Sequence, residues 1–448
     1  MRKITVSKDE VFICLIFLYV LLQSMILFSN SRLQNLLVLI CMLGLVAVAF
    51  SSRLAMCIEV KNIICIYFIL LLTIVPGTIL VNSTIGYIQF CKVAACLIMF
   101  ALILAYAMNK NGFVNSFMKV YGGIAVAISI QCLILFVVVW FGLMEGHAVY
   151  KDARGRELSF GILGYGNAIN YFGNIQILRT MSFFREPSKL AAFLMAPLFW
   201  YIANIKKRKR NMIFAVIIGL NLLATFSRAG ILAFEIGLCG MIVFRSKPRE
   251  VEYRSISSGK KLKGALIALC GVVAVVILGR VLYTYAITED EMYAMSSTVP
   301  NGITGMLIRS MTVTSSSGNM FVRDDSSFNL IFEKLRSQPL GFGLGWSGSV
   351  QKFNNPTGFG FWAYSGGYLA IIVLIVLYGY LVLRYYFVCM YSNNPNLIAL
   401  GSAFIAITIQ NMSYGSWCEE YYLITIAMMI TEVEQFKNQN PKQAERFR

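Results

Sequence analysis

The sequence predicts an all-α, polytopic integral membrane protein with about 12 transmembrane helices and a large outer loop between spans 9 and 10. Three observations predict it. Apolar runs recur along the chain at about the 20 residues that carry a helix across a bilayer. Hydrophobic residues make up 58% of the 448 and charged residues only 13%, more apolar surface than a soluble core of this size can bury. The basic clusters fall between the apolar runs, as Lys206–Arg210 and Lys260–Lys263, the pattern of cytoplasmic loops.

In chain order, the first run (11–28) follows Arg2, Lys3 and Lys8 and looks like a secretory leader. It is long, and the SNSRLQ after it lacks a small-x-small cleavage site, so a retained first span is expected. Further spans are expected at 35–50, 63–81, 91–108, 120–144, 188–204, 212–226, 230–244, 264–286, 366–388, 397–412 and 421–431. Only Ser227–Ala229 separates the seventh and eighth, which requires a tight helical hairpin or a broken segment.

Lysine and arginine set the orientation. With the N-terminus inside, the inner segments, counting Arg384 at the end of its span, hold 24 of the 39 basic residues. The short outer connectors 29–34, 82–90 and 413–420 hold one, Arg32. Both termini are therefore expected in the cytoplasm. Two outer segments, 145–187 and 287–363, are long enough to be functional rather than connective. The second contains the amphipathic NLIFEKLRSQPL (329–340), fit for a helix along the membrane surface. No internal repeat is evident, which weighs against a transporter built from two similar halves.

Several function classes drop out. The net charge of +18 follows topology rather than nucleic-acid binding, and no nucleic acid is expected as a partner. Nearly all of the eleven cysteines lie in or beside apolar runs as small apolar residues, so neither a disulfide framework nor a metal cluster is expected. His147 is the only histidine, which removes His-rich metal sites and Ser–His–Asp triads. Glu289, Asp290, Glu291 and the Asp324–Asp325 pair read as solvated loop acids. No P-loop is present.

Three stretches carry the chemistry. RTMSFFREPSKLAAF (179–193) places Arg179, Arg185, Glu186 and Lys189 at the outer mouth of the sixth span, with Pro187 opening its helix. Guanidinium groups grip phosphate oxygens in a bidentate manner, and helix N-termini favour anions. A carboxylate among arginines stays ionised and can accept a proton from a sugar hydroxyl. Read alone, the same residues also fit an interfacial charge cluster that anchors the span.

TFSRAG (225–230) sets Arg228 between two apolar runs. A charge at the bilayer centre costs about 2.5–3.5 kcal/mol on insertion scales. An anionic ligand, a partner such as Glu235, or snorkelling to the surface would each relieve it. The third stretch, SQPLGFGLGWSG (337–348), does not follow a strand of a βαβ unit, so it is no dinucleotide fingerprint. It permits tight backbone turns beside Trp346, Phe359, Phe361, Trp362 and Tyr364, rings that suit either sugar stacking or an interfacial belt.

Taken together, these features resemble the O-antigen polymerase and O-antigen ligase superfamily. The likeness rests on many spans, a large late outer loop, R-x(6)-E-P-S before one span, an SR-G-type segment before another, and P-L-G-x-G-x-G. The resemblance implies a glycosyltransferase that moves a growing glycan from an undecaprenyl diphosphate carrier to another carrier-linked repeat unit. That reaction needs no metal, cofactor or nucleotide sugar and inverts the anomeric centre. Partners implied are the carrier-linked donor and acceptor, membrane lipid and a separate chain-length regulator, in a bacterial inner membrane.

The ligase branch carries a histidine followed by asparagine after the large loop. Here the comparable place reads Asn354–Asn355, which favours an oligosaccharide repeat unit polymerase. On this reading Glu186 is the catalytic base. Arg179, Arg185 and Arg228 lead as diphosphate ligands, with Arg309 and Arg323 of the large loop next. The rivals are a lipid-linked oligosaccharide flippase, an O-antigen ligase, a polymerase of the shape, elongation, division and sporulation family, and a membrane scaffold.

Overall fold

The computed structural model describes residues 7–24, 31–51, 56–140, 149–151, 157–160, 166–172, 175–184, 186–245, 328–344, 358–413 and 418–439. Every apolar run that falls on these residues is a helix. They are α1 (Lys8–Ser24), α2 (Ser31–Phe50), α3 (Ile58–Val81), α4 (Thr84–Ala107), α5 (Phe113–Trp140), α6 (Pro187–Ala203), α7 (Lys209–Ala224) and α8 (Arg228–Arg245). A short α9 (Phe328–Ser337) precedes α10 (Phe359–Leu381), which runs through a π-helical turn (Val382–Tyr386) into α11 (Phe387–Tyr391). The bundle ends with α12 (Pro395–Ser413) and α13 (Glu420–Gln439). The run at 264–286 lies outside the described residues.

Among the described residues, five helices are long and apolar enough to cross a membrane: Ile58–Val81, Gly86–Ala107, Phe113–Val138, Phe359–Tyr391 and Pro395–Met412. Shorter apolar helices cover Asn35–Phe50, Pro187–Ala203 and Ala229–Ile242. Leu36, Leu39, Leu43, Phe68, Leu72, Ile372 and Ile375 are exposed on α2, α3 and α10, the apolar outer surface that lipid requires.

The segment 145–187, expected outside, departs from the all-α expectation. It forms a four-stranded antiparallel sheet in the order β1 (Val149–Lys151), β2 (Glu157–Phe160), β3 (Gly166–Phe172) and β4 (Ile175–Ser182). The physical reason lies in composition: Ile169, Tyr171, Phe172, Ile175 and Ile177 are the β-branched and aromatic residue types enriched in strands. Phe172 pairs with Ile175, so Gly173 and Asn174 alone connect β3 to β4, residue types that suit two-residue hairpins.

The core is built around α6. Almost every residue from Pro187 to Ala203 is buried, as expected for a helix apolar all round. Helices α5, α7, α8 and α12 pack against it. The Tyr121 hydroxyl donates to the Phe193 carbonyl at 2.7 Å, fixing α5 to α6.

Polar contacts gather at the two ends of the bundle. At one end Asp9 meets Lys110 at 3.7 Å and accepts from the Tyr106 hydroxyl at 2.6 Å, and Asn394 donates to Glu432 at 3.2 Å. These residues belong to segments with the same expected side. At the other end Lys189 meets Glu419, and Leu344 meets Thr78. These also share an expected side, opposite to the first.

The amphipathic stretch becomes α9, which turns Ile331 and Leu335 onto Ala363, Tyr364 and Ile371 of α10. The following PLGFG backbone enters between α3 and α10. Phe342 and Gly343 donate to the carbonyls of Tyr364 and Ser365 at 2.6 and 3.0 Å, and Leu344 donates to Thr78 Oγ1 at 3.0 Å. α10 opens for this contact, since Gly367 has φ +66 inside it. The glycine-rich run is therefore a packed structural wedge.

Candidate functional site

The stretch 179–193 joins β4 to α6, and each half has a local cause. Glu186 is the N-cap of α6, with φ −149 and ψ 144, and Pro187 follows at the helix start. There its fixed φ suits the helix and its missing N–H leaves no orphan donor. The Glu186 carbonyl accepts from Lys189 and Leu190 N–H at 3.0 and 3.3 Å. Its carboxylate accepts from the Ser188 hydroxyl at 3.4 Å.

TFSRAG forms the turn between α7 and α8, so the hairpin alternative is the one adopted. Phe226 has φ +47, which reverses the chain at once. Ser227 then caps α8 by accepting from Gly230 N–H at 3.2 Å, the bond expected of an N-cap serine. Arg228 is the first residue of α8. Glu235, a possible partner for it, lies on an exposed side of the same helix.

These two stretches meet. Arg179 Nε donates to the Thr225 carbonyl at 2.9 Å. This places a cation at the C-terminus of α7, where the helix dipole favours it. Thr180 Oγ1 donates to the Asn221 carbonyl at 3.4 Å. A Cβ on Gly230 would lie 2.7 Å from Ala191 Cβ, so α8 touches α6 one turn after Pro187. The Arg228 helix start and the Glu186 cap are thus neighbours at one end of the bundle.

Helices α12 and α13, with Cys96 of α4 and Tyr19 of α1 behind them, close the site. Lys189 Nζ lies 3.1 and 3.2 Å from the two carboxylate oxygens of Glu419. The side chains of this pair are 29% and 16% exposed. Gln410 Nε2 donates to the Ser188 carbonyl at 2.5 Å from α12. Glu420, at the start of α13, is buried and accepts from Cys96 Sγ at 3.6 Å. Cys96 in turn lies 3.6 Å from the Tyr19 hydroxyl. Gln410 Oε1 and both amide atoms of Asn411 are buried without a hydrogen-bond partner.

Of the residues expected in the site, Arg179 and Glu186 are brought together with the helix start that carries Arg228. Arg179 spends its Nε on α7. Arg185, Arg309 and Arg323 lie outside the described residues, as do His147, Trp346 and Asn354–Asn355. The residues missed are Lys189's partner Glu419, with Glu420, Gln410 and Asn411. One signal was available: Glu419–Glu420 opens the last apolar run on the same expected side as Glu186.

The arrangement sets a carboxylate at the N-cap position of α6, beside a partly buried ion pair. The Glu186 carboxylate and the cations of Arg179 and Lys189 thus share one end of the bundle. A scan against protein-family models gives no match, and neither the curated proteins nor the solved structures contain a similar chain.

Proposed function

We propose that this chain is an oligosaccharide repeat unit polymerase. It is a metal-independent, inverting membrane glycosyltransferase, acting on undecaprenyl diphosphate-linked glycans at the outer face of a bacterial inner membrane. On this reading the chain has twelve spans, both termini in the cytoplasm, and outer segments 145–187 and 287–363 that complete the site.

The carrying observation is the meeting of Arg179 with Thr225. It draws the Glu186 cap and the Arg228 turn, stretches distant in sequence, to one end of the bundle. The acceptor hydroxyl oxygen attacks the donor's anomeric carbon, and its proton passes to Glu186. The bond from that carbon to the diphosphate oxygen breaks, and its electron pair leaves with the diphosphate. Arg179, Arg185, Arg228, Arg309 and Arg323 stabilise the developing charge, the task that positioned cations perform elsewhere.

A flippase would also hold diphosphate with arginines. The 77-residue outer segment 287–363 supports the polymerase reading, because a rocking two-half transporter does not need it. The test is Arg185→Ala in cells that depend on this chain. Single repeat units are expected to accumulate on the outer face while long chains disappear. Long chains of normal length would remove Arg185 from the site, and repeat units trapped on the inner face would mean a flippase.

A further inference from the structure

We infer that the Lys189–Glu419 ion pair is a positioning device for Glu186, which makes both its members positioning residues. The inference rests on the reading of Glu186 as the base. Lys189 stands one helical turn after Glu186 and donates its own N–H to the Glu186 carbonyl at 3.0 Å. Its ammonium reaches both oxygens of Glu419, just before α13, at 3.2 and 3.1 Å. The carbonyl between them, at Ser188, is held by Gln410 of α12. The first turn of α6 is therefore clamped from two separate helices.

The pair's half-burial matters for its strength. Exposed ion pairs hold little geometry, because water screens them and the side chains keep their freedom. In a partly buried site the attraction is larger, and removing one member leaves the other charge without its mate. Both carboxylate oxygens of Glu419 are engaged by the Lys189 ammonium, which ties that side chain to the clamp. Among the described residues, the Lys110–Asp9 ion pair lies at the opposite end of the bundle. Lys189–Glu419 is the one placed a single turn from Glu186.

The experiment uses the full-length protein in lipid nanodiscs with carrier-linked repeat units extracted from cells lacking this chain. Glu419→Ala is expected to lower kcat about 10–100-fold, the scale of a small misplacement of a catalytic group, with KM within about twofold. Glu419→Asp, which keeps the charge, is expected to recover most of that loss. The exchange Lys189→Glu with Glu419→Lys is expected to recover at least about tenfold over either single change.

A fall in Tm with kcat per folded molecule unchanged would overturn the inference and leave only a structural contact. A loss as complete as that of Glu186→Gln, unrelieved by Glu419→Asp or by the exchange, would overturn it too, because Glu419 would then meet the reacting hydroxyl itself. If Glu186→Gln keeps full turnover, it is the reading of Glu186 that fails, whatever Glu419 does.

Discussion

Glu186→Gln is expected to leave a folded protein that binds the lipid-linked repeat unit and builds almost no chain. The amide keeps the shape of the carboxylate and an oxygen that can accept from Ser188, whose hydroxyl lies 3.4 Å from Glu186 Oε2. The N-cap makes no side-chain capping bond, so the helix start loses none. Stability should fall by no more than about 3 kcal/mol, the ordinary range for a single substitution. Turnover should fall about 10²–10⁴-fold, the usual contribution of a positioned base, with KM nearly unchanged. Single-turnover rates and thermal unfolding on the same preparation check both halves. Turnover within about threefold of the wild type would remove Glu186 from the chemistry.

The largest loss of stability is expected from Gly343→Ala. Gly343 has φ +68, and a Cβ there would stand 2.0 Å from the Thr78 backbone nitrogen. The left-handed conformation alone costs about 1–2 kcal/mol for a residue with a side chain. The clash adds more, because its far side is backbone of α3 and cannot swing aside. Gly77 faces the same crossing from α3, with a Cβ site 2.2 Å from Gly343 nitrogen. A total loss of about 4 kcal/mol or more is expected, in the range reserved for severe single substitutions. Gly219→Ala is the control: its Cβ would meet nothing within 4 Å, and stability should change by about 1 kcal/mol or less. Equal melting of the two variants would contradict the wedge between α3 and α10.

The helical framework was legible because lipid imposes one simple rule. A segment that crosses it must be apolar and must satisfy its own backbone hydrogen bonds. That rule marked the helices from Lys8 to Gln439 to within a few residues at many ends. Pro187 announced the start of α6 for an equally local reason. The sheet from Val149 to Ser182 follows no such rule, because its strands are short and are set by cross-strand pairing rather than by the length of an apolar run.

The site was legible only in part, and distance along the chain explains the rest. Arg179 and Glu186 stood out as charges at a helix mouth. Nothing local foretold that Arg179 would bond the Thr225 carbonyl, since a backbone acceptor leaves no mark in sequence. Glu419 lies far along the chain from Lys189, and Gln410 reaches another backbone carbonyl. The glycines of PLGFG were noticed for their turns, yet their use depends on Thr78 and Gly77 of a helix formed long before them. Such pairings are decided by packing.

The most direct test of the central claim is to give purified full-length protein in lipid nanodiscs a single kind of carrier-linked repeat unit. The expected result is carrier-linked glycan of two, three and more units, with one undecaprenyl diphosphate released for every linkage made. Repeat units that stay single, with no diphosphate carrier released, would contradict the account.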